Sequence, residues 1–222
     1  MQKLQGFVEA GNTTLTIAGA AGTIARKVQG SFPSATITVY LNNPPAVAIS
    51  AISRTSNVVT VTVPSGSNFI SGESVTIAGV TDSGFNGTFT IVTSAATTFT
   101  YAQTAADTSS SGGTASSSLR LANIYSDDAL TVKANPFTAA ADGTWFFYGQ
   151  NGRYNVKFSG GGITAPFTLS DIPALSFYAG AGSPEGVVTA GIGSLYTNSG
   201  GGASTTLYVK TSGTGNTGWT AK

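Results

Sequence analysis

The feature that most constrains the fold is an alternation of apolar and polar residues with a period of two. In VVTVTV, for example, Val59, Val61 and Val63 fall on one face of the chain and polar residues fall on the other. Such alternation predicts a strand with one buried face, because successive side chains of a strand point to opposite sides of a sheet. The same pattern recurs nearby in three apolar pairs: Val75 and Ile77, Phe89 and Ile91, and Phe99 and Tyr101.

Short turns separate these strands. The connecting sequences PSGSN, TDSGFNG and TSAAT supply the Gly, Asn, Asp and Pro residues that reverse a chain. Residues 47–116 are therefore predicted to form a small domain of antiparallel hairpins.

Alternating patterns also occur on both sides of this domain. TITVYL, residues 36–41, stops before two prolines. GTWFFYG, residues 143–149, places Trp145 and Phe147 on one face and Phe146 and Tyr148 on the other. The sequence GQNG, residues 149–152, predicts a hairpin turn into the next strand. The predicted inward side chains of these last two strands are Trp145, Phe147, Tyr154, Val156 and Phe158.

Composition supports a β-rich chain with a surface that is almost free of charge. Charged residues make up only 9% of the 222 residues. We expect almost no helix, because β-branched residues favour strands and glycine costs a helix about 1 kcal/mol relative to alanine. The net charge of +1 provides no basic surface for nucleic acid, and no apolar run is long enough to insert into a membrane.

The residue types argue against catalysis. Histidine and cysteine are absent, which removes the commonest general base, most transition-metal ligands and the usual nucleophile pairs. The acidic residues lie beside Gly, Ser, Asn or Pro, where they are typical of turns and caps. Asp127 and Asp128 are adjacent, but no calcium-binding loop surrounds them. We therefore expect no enzymatic activity, no cofactor and no metal site.

The two ends of the chain differ from the blocks between them. Residues 1–30 contain one strand, at 13–17, and are predicted to form an N-terminal arm or a first strand. Residues 181–222 alternate strands with glycine-rich turns and end near Trp219. This C-terminal segment is predicted to be a β-hairpin that needs a neighbour, because an isolated two-stranded ribbon is marginal in water.

Three stretches resemble modules of tailed-bacteriophage and prophage structural proteins. ATITVYL, taken with LANIYSDDALTVKANPFTAAADGTWFFYGQNGRYNVKFSGGGITAPFTLSDI, resembles a phage β-sandwich module, which implies an immunoglobulin- or transthyretin-like fold. SVTIAGVTDSGFNGTFTIVTSAATTFTYA is similar to a second β-module of phages and bacteria. GSLYTNSGGGASTTLYVKTSGTGNTGWTAK is similar to the end of many tail-fibre and tail-spike chains.

The order of these stretches implies an insertion. The sandwich domain would comprise residues 31–46 and 117–180, with residues 47–116 inserted into one of its loops. Such an insertion is tolerated because the entropic cost of closing a loop grows slowly with its length.

The resemblance implies a structural protein of a bacteriophage virion, part of a tail fibre, spike or similar appendage. It would be assembled in the cytoplasm of the bacterial host and would act by assembly and display. Its expected partners are other virion proteins and copies of itself in a homotrimer. The expected oligomer contacts are Leu195, Tyr196, Leu207, Tyr208, Val209 and Trp219.

Two alternative functions remain open beside this interpretation. A carbohydrate-binding adhesin would attach to a host-surface glycan through an aromatic stacking surface, and its candidate sugar contacts are Tyr125, Tyr148 and Tyr154. The competing interpretation of a strand aromatic at period two is a core residue. A capsid decoration protein, or head fibre, would instead bind the head lattice at high copy number.

Overall fold

The computed structural model describes residues 1–8, 13–19, 22–28, 32–213 and 215–222. The predicted all-β fold is confirmed, since these residues form strands throughout and their single helical element is a 3₁₀ turn at Ser83–Phe85. Residues 9–12, 20–21 and 29–31 of the predicted N-terminal arm lie outside the described residues.

The strands are numbered in chain order. The first group is β1 (Gln2–Phe7), β2 (Thr13–Gly19), β3 (Gly22–Val28) and β4 (Thr36–Leu41). The second group is β5 (Val47–Ala48), β6 (Ala51–Thr55), β7 (Val58–Thr62), β8 (Ser74–Ala78), β9 (Gly87–Ser94), β10 (Thr98–Ala102), β11 (Thr108–Ser110) and β12 (Thr114–Ser116). The third group is β13 (Ile124–Tyr125), β14 (Val132–Lys133), β15 (Phe137–Thr138), β16 (Thr144–Gly149), β17 (Gly152–Gly160), β18 (Ile163–Ala174), β19 (Phe177–Gly180), β20 (Leu195–Asn198), β21 (Leu207–Lys210) and β22 (Trp219–Ala221).

The chain divides into two compact units. One comprises Met1–Thr38 and Ile124–Lys222, and the other comprises Val39–Asn123. The second unit thus lies within the sequence of the first.

Two four-stranded sheets build the sandwich in the first unit. Their strand orders are β1-β16-β13-β14 and β15-β4-β17-β18. Rings from the two sheets meet in the core, where the centroids of Trp145 and Phe158 lie 5.4 Å apart and those of Phe147 and Tyr154 lie 5.8 Å apart. The five side chains that alternation placed inward on β16 and β17 are all buried, which confirms that part of the prediction.

The predicted hairpin at residues 149–152 is wrong. β16 pairs with β1 and β13, whereas β17 pairs with β18, so this turn carries the chain from one sheet to the other. The reason is the size of the inward aromatics on both strands. Their rings meet edge to face across the core, as side chains from two opposing layers of a sandwich do.

The second unit is a curled eight-stranded sheet, in the order β11-β6-β7-β10-β9-β8-β12-β5. Its apolar residues pack into one core. The apolar side chains that alternation predicts to be buried, from Val59 to Tyr101, all contribute to this core, although Phe89 is only partly buried. Phe89 stacks on Tyr101 with centroids 4.1 Å apart. The two chain ends of the unit pair with each other, since the amide of Ala122 donates to the carbonyl of Val39 at 2.9 Å.

A third sheet of the first unit has the order β19-β20-β21-β22. The sequence predicted a hairpin here, and the structure adds β19 and β22 as its outer strands. β19 and β20 run parallel, whereas the other pairs are antiparallel. β2 and β3 form a separate two-stranded hairpin.

Candidate functional site

The sheet β1-β16-β13-β14 carries exposed aromatic residues on the side away from the core. Tyr125 lies directly opposite Tyr148 on the neighbouring strand, and the ring of Phe146 meets that of Tyr148 edge to face at 6.5 Å. Phe146 is 38% exposed, and the two tyrosines are half-buried. These three residues are called the aromatic face below.

Two lysines cover part of the aromatic face. The ammonium groups of Lys3 and Lys133 lie 4.7 Å and 4.2 Å from the ring centroid of Phe146. Lys133 also donates to the backbone carbonyl of Phe146 at 2.6 Å, and burial lowers the pKa of Lys133. Phe146 is therefore engaged by cations, which leaves Tyr125 and Tyr148 as the aromatic surface open to a ligand.

Tyr154, the third predicted sugar contact, lies in the core. It is 3% exposed, and its hydroxyl donates to the carbonyl of Gln150 at 2.7 Å. Burial raises its pKa to about 12. Its ring packs against Phe147, so Tyr154 offers no surface to a ligand in this structure.

A cleft of about 520 Å³ opens in the first unit. Two of its lining residues, Gln150 and Asp128, follow Tyr148 and Tyr125 of the aromatic face by two and three residues. Its lining comes from Met1, the turn between β13 and β14, the turn between β16 and β17, Ser176 and Tyr178 around the start of β19, and residues 189–192 of the C-terminal segment. The lining residues on which the site depends are Asp128, Leu130, Gln150, Tyr178, Thr189 and Ile192.

The cleft is held together by Asn151. Its side-chain amide donates to the hydroxyl of Ser194 at 2.7 Å and to the carbonyl of Ile192 at 3.2 Å. Its side-chain oxygen accepts from the amide of Ser176 at 3.0 Å. Asn151 thus ties the turn after β16 to Ser176, just before β19, and to the loop before β20, and this fixes one wall of the cleft.

Other polar side chains of the cleft have no such role. The carboxylate of Asp128, the amide of Gln150 and the hydroxyls of Tyr178 and Thr189 make no hydrogen bond with any described residue. Asp127 contrasts with its neighbour, because its carboxylate accepts from the amide of Thr131 at 3.0 Å, and this bonding lowers its pKa.

The predicted oligomer contacts divide between the two faces of the C-terminal sheet. Tyr196, Tyr208 and Trp219 lie on its inner face and are buried, with Tyr196 6.0 Å from Trp219 and 6.2 Å from Tyr208 between ring centroids. Val188 and Ala190 from the preceding loop complete this small core. The segment therefore has an apolar interior of its own.

The other three predicted contacts lie on the opposite, outer face. Register places Phe177, Leu195 and Val209 in one row across three strands, and Leu207 lies beside them. Phe177 is 69% exposed, Leu207 is 38% exposed, and Leu195 and Val209 are half-buried. These four residues are called the outer face below.

Two charged residues stabilise the inner side of this sheet. Lys210 is fully buried, and its ammonium group donates to the carbonyls of Gly215 and Thr217. The carboxylate of Glu185 accepts from the amides of Trp219, at 2.8 Å, and of Gly218. These bonds, that to Trp219 first, lower the pKa of Glu185.

The described residues contain no group of three or more acidic side chains placed to hold a metal ion. Across the same ranges, none of the helical structure has the length and apolar character needed to cross a membrane. Comparisons of the chain with protein-family models, curated proteins and solved structures give no match.

Sequence reasoning identified Tyr125 and Tyr148 but not the cleft beside them. The cleft brings together Asp128, Gln150 and Tyr178, which come from three turns and strands distant in sequence. No local pattern links these positions. The one available signal was that Asp128 adjoins Asp127, a residue whose neighbours suit a turn.

Proposed function

We propose that this chain is a structural component of a bacteriophage virion, part of a tail fibre, spike or similar appendage, and that it acts by assembly and display. The outer face is the observation that carries this proposal. A sheet that has already buried its aromatic side still presents Phe177, Leu195, Val209 and Leu207 to solvent.

In a homotrimer, the outer faces of the three copies would pack against one another and bury these apolar side chains. Burying a large apolar side chain stabilises an interface by about 1.5–3 kcal/mol. The charged fraction of 9% favours the same outcome, because a surface with few charges resists association poorly. The resemblance of three stretches to phage structural modules adds independent support.

Light scattering on the full-length chain tests the assembly. We expect a trimer of the 22.2 kDa chain, and we expect F177S combined with L207S to shift it towards monomer. V92S is the matched control, because Val92 is 60% exposed in the other unit. A wild-type monomer, or a trimer that survives the double substitution unchanged, contradicts the proposed interface.

Immunogold electron microscopy of virions that carry this chain tests its location. Label along an appendage supports the proposal. Label spread over the head favours the capsid decoration alternative, and virions without label contradict both.

A second candidate function is attachment to a host-surface glycan. The pairing of Tyr125 with Tyr148 on an exposed sheet face favours it, because aromatic side chains offer a flat apolar surface to the C–H face of a sugar.

A further inference from the structure

We propose that the cleft between the turn after β13, the turn after β16 and the C-terminal segment binds one neutral pyranose unit of an oligosaccharide. The aromatic face then carries the units that follow. This inference rests on the second candidate function and names its site.

The first argument is the unused hydrogen-bonding capacity of the cleft. Of the nine acidic residues in the sequence, eight are described, and six of these bind backbone amides or Arg153. Asp128 and Glu73 are the two described acids without such a partner. Asp128 faces the cleft together with Gln150, Thr189 and Tyr178, whose polar groups are equally unengaged.

These groups suit sugar hydroxyls. A carboxylate accepts hydrogen bonds only, whereas an amide and a hydroxyl both donate and accept. Vicinal hydroxyls of a pyranose need this mixture, because each donates one hydrogen bond and accepts others. Asp128 carries the one charged side chain among the described lining residues, and its repulsion of an anion favours neutral sugars over acidic ones.

The second argument is the apolar part of the lining. Leu130 is 50% exposed and Ile192 is 57% exposed, and both line the cleft, as Tyr178 does. A pyranose has apolar C–H faces and a polar rim, so it matches a wall of this mixed kind. The cleft volume of about 520 Å³ lies within the usual range for small-ligand sites, about 300–1,000 Å³.

The third argument is the alignment of the cleft with the aromatic face. Gln150 follows Tyr148 by two residues, a separation of about 7 Å along an extended chain. Asp128 follows Tyr125 by three residues, and Tyr125 lies opposite Tyr148. A linear oligosaccharide that extends from the cleft along β13 and β16 would therefore reach both tyrosines.

The probe is an array of immobilised bacterial-surface polysaccharides, incubated with the labelled full-length chain. Fragments of the polysaccharide that binds best are then titrated by calorimetry. We expect binding to neutral saccharides, weakened about tenfold or more by D128N, since hydrogen bonds to a charged group are the stronger ones, and weakened less by Q150A, which removes a neutral amide. Y148A should weaken long fragments more than it weakens a disaccharide.

E73Q is the matched control for D128N, because the carboxylate of Glu73 likewise makes no hydrogen bond or ion pair with a described residue but belongs to the other unit. It should leave the affinity unchanged. Thermal unfolding of each variant should match that of the wild type, which separates a lost contact from a lost fold.

Three results overturn the inference: no saccharide on the array is bound, D128N and Q150A both bind normally, or only acidic polysaccharides bind and K3A abolishes that binding. Light scattering on the same samples keeps the two proposals apart. A trimer that binds no saccharide contradicts both the glycan-attachment function and this inference but leaves the proposed assembly standing. Saccharide binding that survives D128N and Q150A contradicts the cleft alone, and a monomer that binds through the cleft contradicts the proposed assembly alone.

Discussion

Replacement of Lys210 by methionine should loosen the C-terminal sheet selectively. Lys210 lies on β21 and is fully buried, and no carboxylate forms a salt bridge with it among the described residues. Its ammonium group is satisfied by the carbonyls of Gly215 and Thr217 in the turn before β22, and it lies 5.8 Å from the ring centroid of Trp219. Methionine retains the length and apolar stem of the side chain but donates no hydrogen bond.

The size of the effect follows from three contributions. Two hydrogen bonds from a charged donor contribute about 1.5–3 kcal/mol each. Removing the buried ammonium recovers part of this, because its desolvation penalty disappears. Gly215 and Thr217 are exposed, so water replaces the lost donor at both carbonyls. The net loss should be about 2 kcal/mol, which corresponds to a roughly thirtyfold change in a local opening equilibrium.

Amide hydrogen exchange measures this change strand by strand. Exchange in β21 and β22 should accelerate about thirtyfold in K210M, while β6 to β10 of the second unit keep the wild-type rate. K222M is the control, since Lys222 is an exposed lysine directly after β22. A change below twofold in K210M, or an equal change in K222M, would refute the reasoning.

Three further predictions concern turns and ties. The bonds from the amides of Trp219 and Gly218 hold the pKa of Glu185 below its ordinary value of 4.5. The stabilising effect of this carboxylate is therefore present above pH 4.5 and is lost as the pH falls through the folded-state pKa. The difference in free energy of unfolding between wild type and E185Q, measured by urea unfolding, should vanish in acid. G113A should lower the melting temperature of the second unit more than G72A, because both glycines have positive φ but only a Cβ at Gly113 would lie 2.5 Å from a backbone oxygen; equal shifts would refute this. N151A should lower the free energy of local opening around the Asn151 hydrogen bonds by about 2 kcal/mol, which should be seen as faster hydrogen exchange of the amide of Ser176. An unchanged exchange rate would contradict the role of Asn151 in holding the cleft wall.

Local alternation was sufficient to predict which side of most strands is buried. Val59 and Val61, or Trp145 and Phe147, needed only the period of two, because neighbouring side chains of a strand always face opposite ways. The same period groups Tyr154 with the core side chains of its strand, whereas the glycan-binding alternative names Tyr154 as a sugar contact. The burial of Tyr154 follows that pattern.

Which strands pair with one another was harder to predict from the sequence. GQNG has the composition of a hairpin turn, yet the rings on either side of it fill opposite layers of the sandwich. The burial of Lys210 was equally hidden, because lysine is normally exposed and its acceptors lie in a turn whose path the sequence does not specify. The cleft depends on three such turns at once.

The parallel alignment of β19 with β20 has a consequence for the newly made protein. A parallel pair cannot close through a tight turn, so the chain must travel the length of residues 181–194 before the second strand arrives. Until Trp219 has left the ribosome, Tyr178 has no aromatic neighbour from β22 to pack against. Chains released before β22 is made would therefore leave the ring of Tyr178 partly exposed and prone to association, whereas chains that include Trp219 would cover it.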